Sequence, residues 1–154
     1  MVLRALIILV LGVLSSAVSA QQAQCDSAAF REAVATASAS ITRLHESNGR
    51  VFHEKLERLR AQYNWQEAEY VANATPLIRD ETTAALDAAN QTLLAKVQSL
   101  DPAGASTESG RCGMLNEVKA VMEKVVANTA AKWEHLLSKL ARASAQPIQA
   151  GFNP

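Results

Sequence analysis

From Phe30 onward a largely apolar stripe advances mostly by alternating steps of four and three: Phe30, Val34, Ala37, Ile41, Leu44, Asn48, Phe52, Leu56, Leu59, Tyr63, Gln66 and Tyr70. At about 100° per residue such steps hold one narrow helical face, as the seam of a coiled coil does. The stripe predicts a helix opened by Asp26, a good N-cap residue. It runs straight through Ser47-Asn48-Gly49, whose local chemistry reads as a turn. Periodicity favours one long helix there and local chemistry two. In the continuous case Asn48 is a polar residue at a seam position, where such residues set register at a cost in stability.

Thr75-Pro76 reads as an N-cap and first helical residue. Behind it Ile78, Thr82, Ala85, Leu86, Ala89, Leu93, Val97 and Leu100 form the next apolar face, which Asp101-Pro102 ends. DPAGASTESGR is a polar loop by composition. A last helix is predicted from about Gly113 to Ser144, its stripe Leu115, Val118, Met122, Val125, Thr129, Trp133, Leu136 and Leu140, widened by Val121, Val126 and Leu137. Strand-like alternation and internal repeats are absent from the sequence.

The N-terminus changes the picture. MVLRALIILVLGVLSSAVSA has an early charge at Arg4, an apolar run from Ala5 to Leu14 and small residues at Val18-Ser19-Ala20, the layout of a secretory signal peptide cleaved after Ala20. The run is too short for a transmembrane span, which needs about 20 apolar residues. The expected organisation is a signal peptide over 1–20, one helical domain over 21–145, and a flexible C-terminal tail over 146–154. The whole chain carries fifteen basic and fifteen acidic residues, so loss of Arg4 leaves a mature charge of one negative unit, with both signs interspersed. That argues against nucleic acid, which calls for a clustered basic face, and against electrostatic capture by anionic membranes.

Two cysteines, Cys25 and Cys112, remain in a chain expected to be exported. Their simplest state is a disulfide, the alternative being free or intermolecularly paired thiols. Both lie just ahead of expected helix starts. A continuous first helix, an antiparallel second and a third parallel to the first put both cysteines at the same end of the molecule, whereas a four-helix up-down bundle puts them at opposite ends. The expected fold is therefore all-α: an antiparallel three-helix, coiled-coil-like bundle with a long first helix, or a four-helix up-down bundle if that helix breaks at Asn48-Gly49. Closing so long a loop stabilises by roughly 4 kcal/mol in the chain-entropy treatment.

Candidate chemistry is sparse. His53-Glu54-Lys55-Leu56-Glu57 opens like the HExxH helix of zinc proteases but has Glu57 where the second histidine belongs, so the two-ligand face is missing. Glu46 with Arg50 and Glu54 with Arg58 are correctly oriented i, i+4 pairs that explain these residues as a solvated face. His45 is about 12 Å along the helix from His53, and His135 falls on the polar face. No nucleophile, oxyanion element or phosphate loop is visible, and no metal or cofactor is called for. Asn90-Gln91-Thr92 is an N-glycosylation sequon, and Asn73-Ala74-Thr75 a weaker one because Pro76 follows.

Trp65, set well over 120° from the centre of the first helix's apolar face by the 100° rule, is a candidate partner contact, since tryptophan is enriched among interface hot spots. The expectation is a secreted, non-catalytic helical bundle that binds another protein or its own copy. The alternative is an amphipathic carrier of lipid or another small apolar ligand.

Overall fold

The computed structural model describes residues 25–146, and the expected signal peptide and nearly all of the expected C-terminal tail lie outside them. The described chain is an all-α helical bundle of four helices: α1 (Ser27–Gln62), α2 (Glu67–Ile78), α3 (Glu81–Ser99) and α4 (Glu108–Ala145). Asp26 caps α1 as expected, its Oδ1 accepting from the amides of Ala28 and Ala29 at 2.9 Å each.

α1 is continuous through Ser47-Asn48-Gly49. The turn-forming side chains are turned back onto the helix: Ser47 Oγ donates to Arg43 O at 2.7 Å, and Asn48 Nδ2 to Leu44 O at 2.9 Å. Asn48 thus bonds within its own helix rather than across the seam. Gly49 lies under Trp133 of α4, where a Cβ would meet Cη2 at 3.8 Å, and His45 and Phe52 contact the same indole edge to face. Packing of a large aromatic over this stretch overrides its local turn preference.

The break falls later instead. Asn64 adopts φ 52°, Asn64 N donates to Ala61 O, and Trp65 N reaches back to Arg60 O at 3.0 Å. This is a Schellman termination with asparagine in the left-handed position. Gln66 and Glu69 then form a capping box that opens α2. Gln66, Tyr70 and the predicted N-cap Thr75 therefore do not sit where periodicity placed them. Thr75 is inside α2, its Oγ1 bonded to Val71 O, with Pro76 following it near the end of the helix. The chain restarts at Asp80, which caps α3 by accepting from Thr83 N at 2.9 Å.

The disulfide joins Cys25 to Cys112, with Cα atoms 4.9 Å apart and a sequence separation of 87. Cys25 precedes α1, but Cys112 lies in the second turn of α4, because Thr107 caps that helix through Gly110 N, earlier than the predicted Gly113. α1 and α4 run parallel. Ala37 packs on Val118 and Met122 near the disulfide, Phe52 meets Trp133, and at the far end Leu56 and Leu59 pack with Leu140 while Tyr63 Oη donates to Ala143 O at 2.9 Å. α2 and α3 together make the return path, 12 and 19 residues against 36 in α1, so the return is nearly as long as the outgoing helix and the 101–107 connection stays short.

α4 is the common partner of the other three helices, and α1 and α3 scarcely touch. Its α1-facing residues, Val118, Met122 and Leu140, are separated from its α3-facing residues, Asn128, Lys132 and His135, by about 100° at 100° per residue. Val118 also meets Val97 and Leu100 at the end of α3, so the apolar contacts of the two seams join near the disulfide.

Candidate functional site

Apolar surface remains uncovered beside α1 in the disulfide-proximal half. On one side is an open groove of about 600 Å³ between α1 and α4. Its floor is built from Ala29, Ala33 and Ala37 on α1 and Met122, Val126 and Ala130 on α4, each set spaced by four, with Glu32, Lys119 and Glu123 among the residues at its edges. Small side chains on both helices bring the backbones close and leave a shallow channel over about three turns. On the other side of α1 a second groove of about 410 Å³ lies between α1 and α3, lined by Phe30, Val34, Val97, Leu100 and Val118. Val34 remains 37% exposed there.

At the opposite end a smaller pocket of about 280 Å³ sits in the corner between the α1–α2 turn and the end of α4. Trp65 lines it. Because α1 stops at Gln62, Trp65 is not on the outer face of a continuous helix but in the connection, half-buried, stacked on Tyr63 at 6.0 Å between centroids and 16° between planes, and packed against the Leu56, Leu59, Ala74, Leu140 core.

Beside this pocket the structure assembles a polar cluster that periodicity did not reveal. Asp80 Oδ2 lies 2.6 Å from both His135 Nε2 and Lys139 Nζ, and Lys139 also donates to Pro76 O at 2.5 Å. His135, then Lys139, then the Thr83 amide hold the Asp80 carboxyl well below the usual carboxylate range. The cluster clamps the α2–α3 joint onto α4. No serine or cysteine completes it as a catalytic set among the described residues: Ser138 Oγ is committed to His135 O, and both cysteines are in the disulfide. The sequence signal for this joint is Asp80-x-x-Thr83, an N-cap pattern that competes with Thr75-Pro76.

The remaining candidates are dispersed. Among the described residues no three His, Cys, Asp or Glu side chains converge to hold a metal ion. His53 and Glu54 are exposed on α1, and Glu57 accepts from Tyr70 Oη at 3.4 Å. Neither Glu46–Arg50 nor Glu54–Arg58 closes to ion-pair distance; Arg60 instead pairs with Glu67 across the α1–α2 turn. Asn90 lies mid-helix and half-buried on α3, where Oδ1 accepts from Asn128 Nδ2 of α4 at 2.9 Å. A sequon acceptor is usually found on a surface loop, whereas this one occupies an interhelical seam.

The chain matches no protein family, no characterised protein and no solved structure. Its function has to be read from its own surface.

Proposed function

We propose that this is an exported, non-catalytic binding protein whose working surface is the α1–α4 groove, which receives a helix from a second copy or from another protein. The observation that carries this reading is the groove itself: two parallel helices present small or apolar residues at i, i+4 and i+8 on facing sides, the geometry into which an amphipathic helix lays its apolar face. Export is supported by the closed Cys25–Cys112 bond, since such bonds persist in oxidising compartments, and by the signal-like N-terminal sequence. No described helix is long and apolar enough to cross a membrane.

A second reading has its own support. About 600 Å³ lies within the roughly 300–1,000 Å³ range of small-molecule sites, which fits an apolar ligand such as a lipid chain. Sedimentation equilibrium of the oxidised protein, alone and with the exposed groove-lining Ala127 changed to glutamate (Ala127→Glu), separates the two. Self-association that the charged variant abolishes, with its melting temperature unchanged, supports helix docking. A monomer that co-purifies with lipid by mass spectrometry, lost in the same variant, supports the carrier. A wild-type monomer free of both counts against the groove as a self-docking or lipid surface.

A further inference from the structure

The pocket at the α1–α2 corner lies about 37 Å from the groove, taking 25 residues of α1 at 1.5 Å each, and it differs from the groove in kind. Its wall is the stacked pair Tyr63 and Trp65 with Leu59 and Leu77, and its polar lining includes Lys139 and Arg142 but no carboxylate. The two cations are not equivalent. Lys139 is neutralised by Asp80 and further held by Pro76 O. Arg142 has neither an ion pair nor a hydrogen bond from its guanidinium among the described residues.

A basic residue in the last turn of a helix ordinarily serves the terminal carbonyls, but here those are claimed by other donors. Tyr63 Oη takes Ala143 O, Gln62 Nε2 takes Ser144 O at 3.3 Å, and Tyr63 Oη also approaches Gln146 O at 3.4 Å. An uncompensated guanidinium beside a flat aromatic wall has the two features that recognise a planar anion: charge-assisted, forked hydrogen bonding and a stacking surface.

We propose that this pocket binds a small aromatic anion, with the ring against Trp65 and Tyr63 and the charged group on Arg142. The proposal does not depend on what the α1–α4 groove does. The test uses the full oxidised protein and two fluorescent probes that differ chiefly in charge: 8-anilinonaphthalene-1-sulfonate and the uncharged N-phenyl-1-naphthylamine. Loss of one charge-assisted contact in Arg142→Gln is expected to weaken the sulfonate roughly tenfold and to leave the neutral dye unchanged, while Trp65→Ala weakens both. Arg142 is exposed, so the glutamine variant retains the fold, which circular dichroism verifies. The proposal is overturned if Arg142→Gln leaves sulfonate affinity unchanged, if Lys119→Gln at the α1–α4 groove has the larger effect, or if the wild type shows no saturable binding up to about 1 mM, the weak end of specific affinity.

Discussion

α4 meets α1 and α3 through two seams of different chemistry. Towards α1 it presents Val118, Met122 and Leu140, packed on Ala37, Leu56 and Leu59 and ending in a disulfide. Towards α3 it presents Glu117 to Lys96 at 2.6 Å, Asn128 to Asn90, Lys132 to Asp87 at 2.7 Å, and His135 and Lys139 to Asp80. The first seam is non-directional and derives its strength from area removed from water; Leu59 and Leu140, at 1% and 0% exposure, each contribute about 1.5–3 kcal/mol. The second is directional. Exposed ion pairs are worth little individually, but each is satisfied at only one alignment of α3 on α4. Apolar contact contributes to both seams, Val97 and Leu100 at the end of α3 packing on the Val118 and Met122 cluster, but only the second carries this ladder of ion pairs to set its register.

The largest way to break that contrast is to open the disulfide. Cys25→Ser with Cys112→Ser should cost about 4 kcal/mol by loop-closure entropy, measured by urea unfolding of both proteins, and the loss should appear as fraying of the paired ends of α1 and α4 in amide exchange. Protection unchanged at Phe30 and Val118 would show that apolar packing alone holds that end.

Next in size is Leu140→Ala, expected to cost about 3 kcal/mol because the site is fully enclosed and little can collapse into it. A loss below 1 kcal/mol in denaturant titration would mean that the apolar seam is softer than its burial implies.

A smaller effect is expected on the polar side. Asp80→Asn keeps a competent helix cap and removes the charge that His135 and Lys139 face. The folded-state acidity of Asp80 is increased, so its contribution is present above the unfolded value of about 3.9 and is lost as pH falls below it. The wild type should therefore exceed the variant in melting temperature at pH 6, with the gap narrowing progressively as pH falls below about 3.9 and closing only in strong acid, where the folded carboxyl itself takes up a proton. A gap independent of pH would assign the effect to geometry rather than charge.

The smallest change sharpens the apolar seam. Gly49→Ala should raise stability by about 0.8–1 kcal/mol from helix propensity, since the new methyl meets Trp133 at an ordinary 3.8 Å. A decrease would reveal that the indole needs the glycine gap.

Much of this architecture was legible in the chain because its physics is periodic or local. The four-three stripe from Phe30 to Tyr63 determined α1, Asp26 its start, Asp101-Pro102 the end of the return path, and the pairing of two cysteines in a chain expected to be exported the parallel placement of α1 and α4. Three decisions belonged to tertiary structure. Trp133 packed over Gly49 and kept α1 whole where local chemistry invited a turn. The end of α1 at Asn64, rather than past Tyr70, rests on Leu59, Ala74 and Leu140 closing one core cluster around the corner, a long-range gain that a single helical stripe does not register. The pairings of Asp80 with His135 and Lys139, and of Asn90 with Asn128, join residues 38 to 59 positions apart. No local pattern encodes them: polar residues on a helix face look alike in sequence whether they meet water or another helix, and only the packing of α3 on α4 distinguishes the two.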